Sequence, residues 1–511
     1  MLAKVKSTGL FGMDGYVVDV EVDISNGLPA FDIVGLPDTA VKESKDRVRS
    51  AIRNSGFEFP MKRITVNLAP ADTKKEGPAY DLAIAIGILI ATEQLSQKCV
   101  LNCVFLGELS LDGGIKPIQG VLPMLISIDG AAEKAILPVA NAPEAGNVSK
   151  MKIIPVNSLS DMMAIFKGEI LPGIYEEIKQ SSHTLPHYED FSDVKGQDKV
   201  KRALEIAAAG GHNALMIGPP GSGKTMLAKR LPSILPELTH NEAVEITKIY
   251  SASGLLQPGS GLVKTRPFRS PHHTISNAAL VGGGKFPKPG EVSLAHHGVL
   301  FLDELPEFRR DVLEVLRQPL EDGSINISRA NGKIMFPAKF TLIASMNPCQ
   351  CGFFSDSSRQ CTCTPLQITR YLSKISGPLL DRIDIQVEAS AVPFEKLSGA
   401  RTHETSEQIR ERVNKTRNIQ LKRYSELKIF CNAQLSPKDI ERYCQIDAQQ
   451  KQLLKSAFQS LGLSARAYDR ILKVARTIAD IEESENIASY HLAEAIQYRS
   501  MDKYRKGTVF A

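Results

Sequence analysis

The sequence predicts an α/β protein of several domains, and three observations lead to that prediction. The chain has 511 residues, more than one hydrophobic core usually organises, so about two to four domains are expected. Valine and isoleucine alternate with acidic residues over Val18–Ile24, which is typical of a strand with one buried face. Around Gly218–Thr225, apolar segments of strand length alternate with helix-compatible segments. Such alternation predicts a parallel sheet covered by helices.

Changes in pattern predict four segments, namely 1–170, 171–190, 191–392 and 393–511. The first should be a mixed α/β domain, with a buried helix that begins at Asp81 and a short strand at Ala135–Val139. The second is polar and aperiodic, as expected of a linker. The third carries the strand–helix alternation. The fourth should be helical, because apolar residues recur at helical spacing between Ile471 and Ile478.

Charge and hydropathy limit the kinds of partner that the sequence predicts. The formal net charge of +5 is mild, so a nucleic acid would have to be met by a local basic surface. The longest uncharged apolar stretch, Leu82–Thr92, is too short to span a bilayer, and Met1–Lys6 does not begin a signal peptide. The sequence therefore predicts a cytoplasmic protein without a membrane partner.

The segment Gly218–Thr225 is a complete P-loop, which predicts that the chain binds ATP with Mg²⁺. Its glycines let backbone N–H groups face the phosphates, Lys224 would reach the β- and γ-phosphates, and the Thr225 hydroxyl would ligate Mg²⁺. The helix that follows adds its positive end to the anion site. The predicted nucleotide-binding residues are Gly218, Pro219, Pro220, Gly221, Ser222, Gly223, Lys224, Thr225 and Asp303.

Further polar residues follow apolar strands. Val299–Leu302 ends in Asp303, which would hold Mg²⁺ through water, and Glu304, which would orient the attacking water. A second strand ends at Asn347, whose amide can sense the γ-phosphate. Arg382 and Arg466 suit the neutralisation of phosphoryl charge, although from the residues alone each fits a surface ion pair equally well.

Together with Asp193–Gln197, these motifs resemble an AAA+ ATPase of the magnesium-chelatase/MCM branch. The resemblance implies an AAA+ core with a helical lid, Asn347 as sensor 1, and Arg466 as sensor 2. It also implies that Arg382 is an arginine finger acting on a neighbour's nucleotide, and therefore that the chain forms a ring, most simply a homohexamer.

A closer resemblance, over nearly the whole chain, is to the ComM/YifB family. Its markers are Arg266–Thr274, Lys288–Gly298, Asn347–Gly352 and Ser376–Asp384. The family is similar to hexameric helicases that drive branch migration of recombination intermediates during natural transformation. This resemblance implies branched or single-stranded DNA, bound without sequence preference, as the partner.

The amino-terminal segment resembles the Lon-type (S5-like) protease domain. Ala79 stands where those proteases have the nucleophilic serine, and Leu122 where they have the dyad lysine. Neither side chain can perform that chemistry, so proteolysis is not expected. The roles that remain open for this domain are scaffolding, oligomerisation and DNA contact. Its basic side chains either contact DNA or are simply solvated; they are Lys62, Arg63, Lys74 and Lys75.

Two further features predict ligands. Cys349, Cys351, Cys361 and Cys363 are able to wrap one tetrahedral Zn²⁺, or they are reduced thiols in a polar loop. Gly323–Phe336 reads as a β-hairpin with Asn331-Gly332 at its turn, which in the family projects towards a central pore. The candidate DNA contacts there and in the preceding insert are Arg329, Lys333, Arg266, Arg269, Lys285 and Lys288.

Three functions compete with a DNA motor. They are the motor subunit of a metal chelatase, a protein remodeller that does not use DNA, and an ATP-dependent protease. The Lon-like segment and the cysteine pairs differ from chelatase motor subunits, and Ala79 and Leu122 oppose proteolysis.

Overall fold

The computed structural model describes residues 2–146, 151–175, 188–284, 287–329, 332–354, 359–391, 404–427 and 429–499. Its strands are β1 Leu2–Phe11, β2 Asp14–Ser25, β3 Ala30–Val34, β4 Arg63–Ala69, β5 Cys103–Phe105, β6 Glu108–Leu109, β7 Ile115–Lys116, β8 Lys134–Pro138, β9 Lys152–Val156, β10 Ala214–Ile217, β11 Phe268–Arg269, β12 Gly282–Gly283, β13 Lys288–Pro289, β14 Val299–Leu302, β15 Ser324–Arg329, β16 Gly332–Pro337, β17 Thr341–Met346 and β18 Ile385–Glu388.

The α-helices are α1 Thr39–Asn54, α2 Asp81–Ala91, α3 Val121–Ser127, α4 Ala142–Gly146, α5 Leu159–Lys167, α6 Asp198–Gly210, α7 Lys224–Arg230, α8 His240–Ser253, α9 Asn277–Val281, α10 Glu291–Leu294, α11 Arg310–Glu314, α12 Arg317–Asp322, α13 Pro365–Leu372, α14 Gly377–Leu380, α15 Ser406–Arg423, α16 Pro437–Tyr443, α17 Ala448–Leu461, α18 Ala465–Ile481 and α19 Ser489–Gln497. No helix in these described ranges is long and apolar enough to cross a bilayer. The chain divides into two compact units, Met1–His183 with Thr239–Lys264, and Thr184–Leu238 with Thr265–Ala511.

The first unit is built on a mixed seven-stranded sheet with the order β3-β4-β2-β1-β5-β8-β9. The predicted alternation is confirmed in β2, because Val18, Val20 and Val22 are fully buried. Helix α2 is buried along its whole length, as its uninterrupted apolar sequence predicts. Gly87 permits this packing, since a Cβ at that position would lie 2.5 Å from Cγ2 of Val22.

Segment 239–264 groups with this first unit, whereas the sequence placed it inside the 191–392 segment. Helix α8 begins with a capping box between Thr239 and Glu242. The Ser251 hydroxyl donates a 2.8 Å hydrogen bond to the buried carboxylate of Glu144, which also accepts one from Asn141. Helix α8 belongs to the first unit because of these contacts between residues distant in sequence, so no local sequence pattern predicts its place.

The second unit holds a five-stranded parallel sheet with the order β11-β14-β17-β10-β18. Strands β10 and β14 are buried at every position, which is the pattern of a sheet covered on both faces. The α/β class with a parallel sheet, predicted from the sequence, is confirmed.

The carboxy-terminal part of this unit is helical, as predicted. In α18, Ile471, Leu472, Val474, Ala475 and Ile478 are all buried in the core of the second unit. The same helix buries a charged cluster, in which Arg423 and Arg476 both contact Asp480. The Arg423–Asp480 pair joins α15 to α18, and loss of Asp480 would leave a buried charge without compensation.

Candidate nucleotide site

Three sequence-predicted groups meet at the carboxyl edge of the parallel sheet. The P-loop follows β10, Asp303 follows β14, and Asn347 follows β17. The registers align these ends, because Ile217 lies beside Met346 and Leu302 beside Ala344. Ligands of open parallel sheets bind at this edge, so the topology alone makes it the candidate site.

The P-loop lysine is buried beneath its own loop. Lys224 Nζ donates hydrogen bonds to the carbonyl oxygens of Gly218 at 2.8 Å and Pro219 at 2.9 Å, and to Asn347 Oδ1 at 3.3 Å. Burial lowers the pKa of Lys224, and the nearby Asp303 and Glu304 carboxylates act in the opposite direction. The ammonium group is therefore held at the junction of the P-loop and the tip of β17.

A hydroxyl and a carboxylate form the second half of the site. Thr225 Oγ1 donates a 2.7 Å hydrogen bond to Asp303 Oδ2, and Ser345 donates to the other oxygen, Oδ1. Mg²⁺ prefers hard oxygen ligands, and this pair offers one hydroxyl and one carboxylate at the start of α7. The residues present therefore fit a magnesium ion held with the phosphates.

Glu304 adopts an unusual backbone conformation next to that pair. Its φ of 52° lies in the left-handed region, which costs a residue with a side chain about 1–3 kcal/mol. Its N–H donates to Asp303 Oδ1 at 3.1 Å, which helps hold this turn, and its side chain is exposed. The strained turn directs an exposed carboxylate to the edge where the nucleotide phosphates are expected.

Sequence reasoning missed three residues of this site. Ser345 lies two residues before Asn347, on the same face of β17, and a polar residue there was the available signal. Tyr371 accepts a hydrogen bond from the backbone N–H of Asn347, and Gln197 donates to the carbonyl oxygens of Ser222 and Ser390 at 2.9 and 2.6 Å. Tyr371 reaches the site from a later helix, which no local pattern reveals, whereas Gln197 ends the Asp193–Gln197 motif, to which the sequence assigned no contact.

The two predicted arginines lie at the opposite edge of the sheet. Arg382 precedes β18, and its carbonyl oxygen accepts a hydrogen bond from Asn213 at the start of β10. Because β10 has four residues, this edge is about 13 Å from the P-loop. Arg466 lies one turn before Arg470, which pairs with Asp384 at the same edge.

The carboxylate of Glu321 interacts electrostatically with both arginines. Arg382 is buried and pairs with Glu321, whose side chain is 58% exposed. The hydrogen bond and charge of Arg382 lower the pKa of Glu321, and Arg466 and Arg317 add to the effect. Arg382, Arg466 and Glu321 thus form one charged cluster, separate from the P-loop of the same chain.

The four predicted zinc ligands converge in space. The Sγ atom of Cys349 lies 3.3 Å from that of Cys351 and 3.7 Å from that of Cys361, and the latter two are 3.5 Å apart. Ligand atoms of all four cysteines, including Cys363, lie within 4.8 Å of one another. The cluster directly follows Asn347, so it belongs to the same edge of the sheet.

The candidate DNA residues divide into two groups. Strands β15 and β16 pair as the predicted hairpin, with Lys333 exposed on β16. The backbone of Arg329 ends β15, while the predicted turn residue Asn331 and Lys285 lie outside the described residues.

The other two arginines are engaged within the second unit. Arg266 donates to the carbonyl oxygens of Pro236, Glu237 and His297, and Arg269 forms a bidentate pair with Glu291 at 2.6 and 2.7 Å. Because their guanidinium groups are engaged in hydrogen bonds and an ion pair within the chain, we do not retain Arg266 and Arg269 as proposed DNA contacts.

The amino-terminal domain offers no accessible dyad. Ala79 is 5% exposed, and Leu122 is fully buried. Lys75 is also fully buried and donates to the carbonyl oxygens of Pro70 and Thr73, so its ammonium group does not face a ligand. Lys62, Arg63 and Lys74 are exposed.

We expect the double change Ala79→Ser, Leu122→Lys to yield no casein hydrolysis and to lower the melting temperature by about 5 °C or more. An ammonium group at a fully buried position loses its hydration without gaining a partner. Met61→Lys is the matched control, because Met61 is 69% exposed and should tolerate the same charge. A stable double variant that cleaves casein would contradict the burial argument.

The sheet topology and the groups at its carboxyl edge define a P-loop protein of the AAA+ class. Family models agree: "Magnesium chelatase, subunit ChlI" matches residues 190–397, "Subunit ChlI of Mg-chelatase" matches 20–141, and "Magnesium chelatase, subunit ChlI C-terminal" matches 403–499. The chain is 48% identical to competence protein ComM of Haemophilus influenzae over 98% of both chains, and 44% identical to protein YifB of Escherichia coli over 98% of both. The chain belongs to the ComM/YifB family of magnesium-chelatase-like AAA+ proteins.

The magnesium-chelatase subunit is less similar to this chain in sequence. The magnesium-chelatase 38 kDa subunit of Rhodobacter capsulatus is 28% identical over 177 residues, which cover 31% of this chain and 50% of that protein. Membership of the AAA+ family implies ATPase activity with ATP and Mg²⁺.

Proposed function

We propose that the chain is an ATP-driven DNA motor that promotes branch migration or unwinding of recombination intermediates during natural transformation. The observation that carries this proposal is similarity over 98% of both chains to a protein named for competence, against 31% of this chain for a chelatase subunit. Uptake and recombination of DNA would place this work in the cytoplasm.

ATP hydrolysis would use the groups at the carboxyl edge of the sheet. Lys224 would neutralise phosphate charge, while Thr225 and Asp303 would hold Mg²⁺, which supplies positive charge to the phosphates when bound. Glu304 would accept a proton from the attacking water, and Asn347 would orient that water beside the γ-phosphate. Ser345 would act as a positioning residue, because it fixes one oxygen of Asp303.

The arginine cluster supports a ring of identical chains. Arg382 lies about 13 Å or more from its own P-loop, at the opposite edge of the sheet, so a role in hydrolysis requires a neighbouring chain. Arg466 lies at the same edge and would face the same neighbouring nucleotide. A contact that joins one edge of each chain to the opposite edge of the next is heterologous, and such contacts form a ring where the rotation closes, here a proposed homohexamer.

Contact with DNA is assigned to the hairpin β15–β16. Lys333 is exposed on this hairpin, and one copy from each chain would place a circle of positive charge around a pore. Such charges bind phosphates of single-stranded or branched DNA without reading sequence.

A second candidate function is the motor subunit of a metal chelatase or another protein remodeller. The observation in its favour is that three ChlI family models cover most of the chain. This alternative predicts ATP turnover that responds to a protein partner and is indifferent to DNA.

The deciding experiment measures ATP turnover with Mg²⁺ in the presence of a four-way junction, a forked duplex, or no DNA. We expect both branched substrates to stimulate turnover and to be resolved into labelled single strands or exchanged duplexes. Glu304→Gln is the matched negative control, because it should bind nucleotide and DNA without hydrolysis. Turnover that is unaffected by either DNA, with no strand displacement, would rule out the DNA motor and favour the remodeller.

We expect Lys333→Ala to weaken single-stranded DNA binding and to reduce the slope of log affinity against log salt concentration by about 0.7 for each phosphate that is no longer neutralised. The physical reason is that fewer counterions are released when a positive charge is removed. Lys451→Ala is the control, because Lys451 is an exposed lysine on α17 with no proposed DNA role. Equal salt slopes for the wild type and Lys333→Ala would remove Lys333 from the interface.

A further inference from the structure

We propose that Cys349, Cys351, Cys361 and Cys363 bind one structural Zn²⁺, and that this zinc-bound loop braces the sensor asparagine and the P-loop. The binding of zinc is independent of the proposed DNA function. The bracing role rests on the proposed ATPase site, so the two are tested separately.

The sulfur geometry is that of a metal cage. Four ligands at about 2.3 Å around a tetrahedral Zn²⁺ stand about 3.8 Å from each other. The Sγ···Sγ distances of 3.3, 3.5 and 3.7 Å approach this value. They are far longer than a disulfide bond of about 2.05 Å, and all eight cysteines of the chain are free thiols.

The surroundings of the sulfurs suit thiolates. The backbone N–H of Cys363 donates to Sγ of Cys361 at 3.4 Å, and the N–H groups of Phe353 and Thr362 donate to Cys351. Cys349 is fully buried, whereas the other three cysteines are partly exposed. An all-sulfur tetrahedral set selects zinc or iron over the hard ions Mg²⁺ and Ca²⁺. Binding of Zn²⁺ releases the thiol protons to solvent without any change of oxidation state.

The cysteine cluster lies between Asn347 and a helix that contacts Asn347 again. The chain runs from Asn347 at the end of β17 through Cys349 to Cys363, which is followed by the Thr364 cap of α13. Tyr371 on α13 then accepts a hydrogen bond from the backbone N–H of Asn347. One metal ion would therefore fix both ends of a loop whose two arms converge on the sensor residue.

The same loop packs against the P-loop. Gly352 has a φ of 89°, and a Cβ added there would lie 2.5 Å from Cδ and 2.8 Å from Cγ of Pro220. Only glycine allows this approach of the cysteine loop to the nucleotide-binding loop. Loss of the metal would free the loop, and Asn347 and Pro220 would lose a common support.

The first test measures the metal content of full-length protein purified under reducing conditions without chelator. We expect about one zinc per chain in the wild type and in the control Cys99→Ser, which changes a thiol outside the cluster. We expect less than about a tenth of that in Cys361→Ser, with retention in Cys361→His, because histidine is also a zinc ligand. Absence of zinc, or stoichiometric iron instead, from the wild type would overturn the site, as would full zinc in Cys361→Ser.

Cobalt provides a readout that does not depend on activity. Protein refilled with Co²⁺ should show the visible absorption of a tetrahedral thiolate complex, and Cys361→Ser should not. The wild type without this absorption would contradict the four-sulfur ligand set.

The second test separates bracing from metal binding. We expect Gly352→Ala to keep its zinc but to lose at least about tenfold in ATP turnover, because the added Cβ displaces Pro220. Its melting temperature should also fall, since alanine is strained at a φ of 89°. Gly56→Ala is matched, since Gly56 has a φ of 82° and no atom within 4 Å of the added Cβ, and it should keep normal turnover. Normal turnover in Gly352→Ala would overturn the bracing role, whereas DNA-independent turnover with zinc in place would overturn only the proposed DNA function.

Discussion

Lys224→Ala is expected to abolish ATP turnover, with a loss of at least about 100-fold, while the chain remains folded. The Lys224 ammonium group is buried and hydrogen-bonds two P-loop carbonyl oxygens and the Asn347 side chain, so its removal takes a positive charge from the place where the phosphates are expected. A 100-fold loss corresponds to about 2.7 kcal/mol of transition-state stabilisation. The measurement is steady-state phosphate release at saturating ATP and Mg²⁺.

The neighbouring lysine of the same helix controls for this change. Lys229 lies on α7 but is exposed, so Lys229→Ala removes an equal charge without touching the site. It should retain turnover within about twofold of the wild type. Binding of a fluorescent ATP analogue separates lost affinity from lost chemistry. Normal turnover in Lys224→Ala would show that the P-loop of this chain is not the hydrolytic site.

Arg382→Ala is expected to lower ATP turnover by about 10³-fold or more, the range found for arginine fingers. The backbone of Arg382 lies about 13 Å from its own P-loop, at the opposite edge of the sheet, so we propose that its guanidinium group acts on the nucleotide of a neighbouring chain. Arg442→Ala is a suitable control, because Arg442 is exposed at the end of α16 and has no place in either site. Unimpaired turnover in Arg382→Ala would exclude the residue from hydrolysis.

Mixing two inactive variants tests whether Arg382 acts between chains. Arg382→Ala keeps an intact P-loop, and Lys224→Ala keeps an intact Arg382. In a ring assembled at random from equal amounts, about one interface in four joins an intact P-loop to an intact arginine, so about a quarter of wild-type turnover should return. An arginine that acted within its own chain would give no recovery on mixing.

The ion pair with Glu321 has to break before Arg382 is able to take the proposed role. In the isolated chain Arg382 pairs with Glu321, whose side chain is largely exposed. In the proposed role, the guanidinium group exchanges this partner for the phosphate of a neighbouring nucleotide. Release of the pair would therefore accompany assembly of the proposed ring.

The sequence was most informative where chemistry requires fixed residue types at fixed spacing. The P-loop, Asp303 and Asn347 each follow an apolar strand, and parallel strands bring their carboxyl ends to one edge. Thr225 and Asp303, each predicted to act on Mg²⁺, are joined at that edge by a 2.7 Å hydrogen bond. The alternation of apolar and polar residues in β2 and the helical spacing of apolar residues in α18 also predicted those elements. Burial of one face places apolar residues at regular intervals in the sequence.

Other features depend on long-range contacts. Arg266 and Arg269 were predicted to contact DNA, but their guanidinium groups are used by backbone carbonyls and by Glu291. A basic residue has the same appearance in a sequence whether it faces solvent or a distant partner. Segment 239–264 grouped with the first unit for the same kind of reason, since the Ser251–Glu144 contact spans 107 residues.

The sequence by itself determined the α/β class, the nucleotide-binding loop and the acidic and polar groups that accompany it, because these follow from local periodicity and spacing. Only the tertiary structure decided that Ser345 and Tyr371 support the site, that the four cysteines converge around one point, and that Arg382 and Arg466 lie at the far edge of the sheet. The physical reason is that distances between residues remote in the chain are set by packing of whole elements, which no local pattern encodes.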